Sequence, residues 1–551
     1  MDYIDTCMMF CGGFSHDVDD EICGGREGFC CLRSLVLKEH STLWTKVIAT
    51  TILVIYLVNL LWRRRNLPPG PWGLPIIGCM HMLGPRPHHT FQKMAEKYGP
   101  LMSLRIGQKL FIVASSGEAA KEFFKFHDAN FSSRPFKRAF QVLMPNDIAF
   151  VEGNSPLRRH LRKIFQLELT SAKRIQETEH VRSGEMSKMI KAIPENSAIT
   201  IRHYIEVMVT NVLSLMVFKK QYLAVAGKEV SSTTEEIKEI DAFKRILSDI
   251  AVNISKNNIG DVVPALRRLD PQGLESQYRE VKERMDSFSS KIIAEHQERR
   301  HPGARLHSLE HEKDLIDIFL DQVEEEKKHE VTLENVQSIL WNAIAAGLAP
   351  IVAASEWALA ETLRNPHILE KAQAELDDVV GKSRRVQESD IPKLKYTQAI
   401  VKEAFRLHPA PMPPPHESME PCKVFGYDIP AKTGLLCNFY AIQRDPAVWH
   451  KPLDFDPSRF LEGSPTASIS VSGLRHFDLI PFGSGRRSCP AIEMGQLMVN
   501  LITANLLHAF DWSVPDRRQL EDDTEDVDHT ASRAVAVTAI VKRRLPSDVY
   551  T

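Results

Sequence analysis

The sequence predicts a mainly α-helical protein with small β-sheets, set behind one N-terminal membrane-spanning helix. Three observations carry that expectation. One run near the N-terminus, Val47 to Trp62, is apolar enough for lipid. Helical periodicity dominates from Glu118 onward. Strand-like runs are short, lying just after Phe91–Tyr98 and near Lys423–Leu436 and Ala534–Lys542.

The chain of 551 residues is long enough for several domains or one large one, and its 43% hydrophobic content is ordinary for a protein with a large core. A net charge of −2 gives no support to nucleic-acid binding as the main role. Five cysteines (Cys7, Cys11, Cys23, Cys30, Cys31) crowd the first 31 residues, and four (Cys79, Cys422, Cys437, Cys489) serve the rest. A body so poor in cysteine reads as cytosolic. The tail, residues 1–42, reads as lumenal; its cysteines either form disulfides in an oxidising lumen or do nothing essential.

Residues 43–62 reach the ~20 positions that span a bilayer, and Arg63-Arg64-Arg65 follow. Arg33, Lys38 and Lys46 lie on the other side, so charge leans only mildly toward a cytosolic C-terminal side. Residues 63–78 end in LPPGPWGLPIIG, whose four prolines and three glycines exclude helix and central strand and make a stiff hinge. Residues 79–551 form the catalytic domain. Pro302–Lys313, Ser464–Arg475 and Leu520–Asp528 read as exposed loops. One long helix stands out: Thr332 caps it, Glu334 lies in its first turn, and Pro366 lies just beyond its end. It is apolar on nearly every face, which places it in the core.

The strongest chemical signal is Phe482-Gly-Ser-Gly485-Arg486-Arg487-Ser-Cys489-Pro-Ala491, a glycine-rich loop with a lone cysteine that opens into an apolar helix. Arginines and the positive end of that helix favour an ionised sulfur, as a metal-bound thiolate needs. Gly485 permits close backbone approach, and Arg487 can pair with a carboxylate of a bound group. A phosphate loop is the competing reading, but no Gly-Lys-Ser/Thr follows and a cysteine holds the focal point.

This loop resembles the haem-binding signature F-x-x-G-x-R-x-C-x-G/A of the cytochromes P450, in particular the plant-type microsomal enzymes. The resemblance runs from about Leu67 to Tyr550 and includes the proline-rich hinge. It implies a helical haem-binding domain with a small β-rich region on its N-terminal side, and Cys489 as axial thiolate to the iron. It implies that Glu403 and Arg406, of the E-x-x-R motif, join Arg459 of Phe455-Asp-Pro-Ser-Arg459-Phe460 in a buried network. It places Arg162 and His416 beside the haem carboxylates. Relatives have a tryptophan four residues before that arginine, where this chain has Arg158. Arg158, Arg159 and Lys163 form a basic face that in relatives docks an acidic electron donor.

One departure is plain. Family monooxygenases carry A/G-G-x-D/E-T-T/S midway along the long helix, and the acid and alcohol help deliver protons to bound oxygen. This chain reads Ala346-Gly347-Leu348-Ala349-Pro350-Ile351, so both side chains are gone. Pro350 leaves the Ala346 carbonyl without its N–H donor, and a kink is expected there. By resemblance, Phe140–Phe150, Ala346–Pro350, Ala410, Pro411 and Met412 line the pocket, closed by a turn near Ala531–Ala534.

The expected activity is oxidation of a small lipophilic or aromatic specialised metabolite, using O2 and NADPH-derived electrons. The chain carries no flavin or nicotinamide domain, so those electrons come from NADPH–cytochrome P450 reductase, with cytochrome b5 as a second donor. The expected location is the endoplasmic reticulum membrane, single-pass, with the catalytic domain in the cytosol. The rival reading is a haem enzyme of the same fold that isomerises or dehydrates a peroxide or oxime, suggested by Ala349 and Pro350. A haem-binding sensor without turnover is the third.

Overall fold

The computed structural model describes residues 44–51, 53–54, 66–151, 153, 155–223, 234–300, 315–324, 331–409, 414–522, 524–526 and 532–550. The chain divides into two compact units, 1–66 and 67–551.

In the first unit, residues 44–51 and 53–54 are helical, with Trp44, Val47, Ile48, Leu53 and Val54 exposed. The tail cysteines, the second half of the expected span and the three arginines lie outside the described residues.

The second unit begins with the proline-rich run, which lies against the first strand of a small sheet. Ser103 Oγ donates to the Pro68 carbonyl at 2.6 Å, and Ser103 N–H to the Pro69 carbonyl at 2.8 Å. Gly70 is required there, because a Cβ would fall 1.7 Å from the Ser103 carbonyl oxygen. Helix α1 (Pro87–Tyr98) then leads to β1 (Leu101–Ile106) and β2 (Lys109–Ala114), as the sequence predicts. These two pair antiparallel, and the four-stranded sheet is completed by β7 (Gly434–Cys437), parallel to β2, and by β4 (His416–Glu417). Strands β5 (Cys422–Val424) and β6 (Tyr427–Ile429) form a hairpin. Strands β3 (Ala198–Thr200), β9 (Thr538–Arg543) and β8 (Phe510–Ser513) make the third sheet.

The longer helices are α2 (Pro156–Leu169), α3 (Glu179–Ala192), α4 (Ile201–Phe218), α5 (Thr234–Ser255), α6 (Leu274–Arg300), α7 (Leu315–Glu324), α8 (Leu333–Arg364), α9 (Pro366–Val379), α10 (Lys395–Leu407) and α11 (Ile492–Ala509). By length and composition α4 and α8 could each cross a membrane, but two-thirds of each lies inside the protein, so they are core helices. Helix α8 packs against α4, α10 and α11. It fully buries Trp341 and Trp357 along with Ile339, Leu340 and Leu359, and each such large side chain contributes roughly 1.5–3 kcal/mol.

The start of α8 is set by a capping box. Thr332 accepts from the Asn335 N–H, and the Asn335 side chain accepts from the Thr332 N–H. The helix continues through Pro350 as a single 32-residue element. The long helix the sequence predicts thus runs on through this proline. A local opening marks the site there: residues 345–350 are half-buried to exposed, while 335–344, Gln337 excepted, and 351–363 are buried.

Candidate functional site

The cysteine loop is held by its own backbone and by α10. Gly483 and Gly485 adopt φ of +69° and +71°, which bend the chain where L side chains are strained. A Cβ on Gly485 would fall 2.3 Å from Asp128 Oδ1 and 2.9 Å from the Phe124 carbonyl oxygen. The Cys489 N–H donates to the Phe482 carbonyl at 2.9 Å, closing the loop. Phe482 sets its ring edge-on to Phe405 of α10, 5.2 Å between centroids. Gln443 ties the same parts together: it donates to the Phe405 and Arg406 carbonyls and accepts from the Ile480 N–H.

The electrostatics of the sulfur differ from the sequence expectation. Arg486 turns to Asp128, and Arg487 turns to backbone carbonyls. The cation that acts on Cys489 is Arg162 of α2, whose Nη2 donates to the Ser488 carbonyl at 2.7 Å. Burial pushes the Cys489 thiol up, opposed by the Ala491 N–H, 3.4 Å from Sγ, and then by Arg162. The sulfur so placed is a partly buried ligand that a metal ion would hold as thiolate.

Four guanidiniums gather beside this loop: Arg134, Arg158, Arg162 and Arg487. All five N–H donors of Arg487 reach carbonyls, those of Ser132, Ile148, Ala149, Val151 and Gly153. Arg134 donates to the carbonyls of Ala149, Pro414 and Pro415. Burial and then the neighbouring guanidiniums pull Arg487 down to about 8, Arg134 to about 9 and Arg158 to about 10. The carboxylate acting on the centre of this cluster is Asp147, fully buried and itself pushed up to about 6 by burial. His416 belongs here too. One ring nitrogen, Nδ1, lies 2.9 Å from the Phe131 carbonyl, and burial followed by Arg134 holds the ring well below the usual imidazole range.

The Glu–Arg network forms as the motifs imply. Arg406 Nε and Nη2 each reach a Glu403 oxygen at 2.7 Å, and Arg459 Nε reaches Glu403 Oε1 at 3.2 Å. The remaining Arg406 donors go to the Gln443, Pro452 and Asp454 carbonyls. Glu403 and Arg406 have no exposed surface.

On α8, Ala346 and Pro350 are exposed and one helical turn apart, so they share the open face. Gly347 faces elsewhere: a Cβ there would meet Leu213 of α4 at 3.1 Å, so its role is close helix packing. Ala349 is half-buried. Residues 140–150 are brought to α8 by Asp147, which accepts from the Asn342 side chain at 2.6 Å. Ala410, Pro411, Met412 and Ala531 lie outside the described residues. Of the expected turn Ala531–Ala534, Arg533 is buried over the Trp357 ring.

Arg134 and Asp128 complete the site yet stand in no motif that sequence reading could use, and Asp147 lies in the Phe140–Phe150 run expected to line the pocket. Ser133-Arg134-Pro135 has no local signal, and only the folded chain brings it to Arg487.

The family model for Cytochrome P450 matches residues 68–534. The chain is 38% identical over 501 residues to a flavonoid 3'-monooxygenase of Oryza sativa subsp. japonica, covering 88% of this chain and 92% of that one. It is 36% identical over 496 residues to a flavonoid 3',5'-hydroxylase of Campanula medium, covering 88% and 93%. It is 37% identical over 501 residues to Cytochrome P450 71AP13 of Prunus mume, covering 90% and 93%. The family's haem fits the residues present. A partly buried sulfur stands at the loop apex, and four guanidiniums with one central carboxylate leave positive charge that haem carboxylates would neutralise. The Nε and Nη1 atoms of Arg158 are buried with no hydrogen-bond partner among the described residues. This chain therefore belongs to the cytochrome P450 family, the haem-thiolate oxidoreductases that act on lipophilic substrates with electrons from NADPH through a separate reductase.

Proposed function

We propose that this protein is a monooxygenase of a small aromatic specialised metabolite, with a flavonoid-type phenolic as the substrate class. The observation that carries the reading is the Cys489 loop in a chain whose relatives are named flavonoid 3'-monooxygenase and flavonoid 3',5'-hydroxylase. When bound, haem held through a cysteine thiolate would supply reductive activation of O2, with one oxygen atom going into the substrate and the other leaving as water.

The protein's own residues then have distinct tasks. Cys489 would hold the iron, and Phe482 and Gly485 shape the loop around it. Arg162, Arg487 and His416 would hold the haem carboxylates. Glu403, Arg406 and Arg459 keep the loop in place. Ala346, Ala349 and Pro350 line the substrate side of the open turn of α8, and Gly347 lets that turn pack close to α4. No side chain at 349 or 350 carries a proton, so ordered water or a substrate hydroxyl at the Ala346 carbonyl takes over proton delivery.

The domain boundaries we assign are tail 1–42, membrane anchor 43–62, hinge 63–78 and catalytic domain 79–551. The protein sits in the endoplasmic reticulum membrane by a single span, with its catalytic domain in the cytosol and cytochrome b5 as an additional donor. Deleting residues 1–65 should release a folded, haem-loaded protein; a product that still needs detergent as an integral protein overturns the anchor.

The activity is tested with membrane-reconstituted enzyme, with and without reductase, on a panel of phenolic, terpenoid, fatty-acid and oxime substrates. Reductase-dependent hydroxylation of a phenolic is expected. Reductase-independent product from a peroxide or oxime alone would overturn the reading.

A further inference from the structure

One guanidinium of the arginine cluster lacks a counter-group. Arg158 is 3% exposed, and its Nε and Nη1 have no hydrogen-bond partner among the described residues. The charges acting on it are Arg162, Arg159 and Arg486, against Asp128 alone, and Asp128 already pairs with Arg486 at 3.2 Å. A buried cation without a partner is among the most costly arrangements a fold can keep, so its presence points to an anion that binds there. The neighbours do not share this condition. Arg487 has every donor placed, Arg134 places Nε and Nη1, and Arg162 spends a donor on the Ser488 carbonyl.

The backbone aims this side chain. The N–H of Arg158 donates to Ser155 Oγ, the cap of α2, which fixes the first turn of the helix. Arg158 and Arg162 are then one turn apart on the same face, and the charge of Arg158 is felt at both Arg134 and Arg487.

We propose that Arg158 is a carboxylate-binding residue of the haem site, and that it brings one positive charge more than the site's anions cancel. The inference rests on the family assignment above. Asp147 acts on Arg134 and Arg487, and with the two haem carboxylates it would make three anions for four guanidiniums, a surplus of one cation. A fixed cation beside the porphyrin stabilises the more negative, reduced state of the iron. Arg158 thus strengthens haem retention and raises the ferric–ferrous potential, making the first electron easier to accept.

A second source of the anion is an acidic side chain of an electron donor. It would enter a groove of about 320 Å³ lined in part by Arg158, Arg159, Lys163 and Arg486. The two sources are separated by measurements that omit the donor.

The experiment uses the full chain, haem-loaded in detergent, as wild type, Arg158→Gln, Arg158→Lys and Arg158→Trp. Haem transfer to excess apo-globin and a potentiometric titration are measured without reductase. Arg158→Gln should lose haem about tenfold faster, in keeping with the loss of one charge-assisted hydrogen bond. Its ferrous-to-ferric ratio at a fixed potential should fall several-fold, where a full tenfold corresponds to 59 mV for a one-electron couple. Arg158→Lys should restore the potential. Arg158→Trp should restore retention through its indole N–H but leave the potential low, a split that a merely structural role would not produce. Wild-type potential and retention in Arg158→Gln, with weakened reductase binding, would overturn the proposal and assign Arg158 to the donor groove. If Arg158→Gln does not fold, a wild-type potential in Arg158→Trp overturns it equally. Failure of the wild type itself to take up haem would instead sink the family-based reading.

Discussion

Two buried arginine clusters flank the cysteine loop, and they are built on opposite principles. In the first, Arg406 has all five donors placed on Glu403 and three carbonyls, and Arg459 shares the same carboxylate. In the second, four guanidiniums meet one central carboxylate, and the buried Nε and Nη1 of one of them have no partner among the described residues. The first network is complete within the protein, so it holds structure. The second, on the proposal above, is a receptor whose surplus charge would be met by a bound anion. Counting donors against acceptors separates a strut from a binding site even where both consist of arginine, glutamate and backbone.

The largest expected effect falls at the apex between them. Cys489→Ala should abolish the thiolate-type carbon monoxide difference band completely; a full band in that variant would break the assignment of the receptor to haem. Next comes the complete network. Removing one partner of a buried pair typically costs about 3–5 kcal/mol, a large share of the 5–15 kcal/mol that holds a domain together. Glu403→Gln should therefore fail to accumulate as folded protein, whereas Arg158→Gln, which removes donors that have no partner among the described residues, should fold yet retain haem poorly. The measurement is soluble folded yield by circular dichroism beside haem content. The reverse pattern would erase the distinction between strut and receptor.

The open turn of α8 belongs to neither network and provides a control. With no acid or alcohol at 349 and 350, much NADPH should be spent on hydrogen peroxide with generic substrates. Restoring Asp and Thr, as Ala349→Asp with Pro350→Thr, should raise product per NADPH several-fold with stability changed far less than in Glu403→Gln. Tight coupling of the wild type on unrelated substrates lacking a hydroxyl would contradict this.

The smallest effect is on pH. Burial holds His408, His416 and His508 below their ordinary value of 6.5, so the folded protein resists protons that the unfolded chain takes up. Their stability contribution is present above pH 6.5 and is lost as pH falls below it. Asp147, raised from 3.8 to about 6, acts with the opposite sign, since its folded form keeps a proton that the unfolded chain gives up between those values. His89 acts with these histidines, and the raised Glu206, Asp261 and Asp478 act with Asp147; the imidazoles of the unfolded chain take up protons inside this window, so Tm should fall on going from pH 7 to 5. Asp147→Asn should steepen that fall, and a Tm that rises on acidification would contradict the balance.

The sequence by itself determined a good deal. The cysteine and the glycines around it lie within a few residues of one another, as do the residues inside each arginine motif, so each motif is legible in local spacing and the family resemblance implies that they act together. The capped, apolar α8 and the early β1–β2 pair were legible for the same reason, since caps and alternation are local signals. The tertiary structure decided which arginine faces the sulfur. Arg486 and Arg487 neighbour Cys489 in the chain, yet the cation acting on it comes from α2, 327 positions earlier in numbering, at Arg162. It also decided that Arg134 joins the site, that Asp147 within the 140–150 run faces its arginines, and that Gly347 serves packing against Leu213. Charge and hydrogen-bond partnership act through space over a few ångströms, and a side chain's direction is set by packing among distant segments. No spacing along the chain records those distances, so the sequence could supply the ligand while the fold alone chose its surroundings.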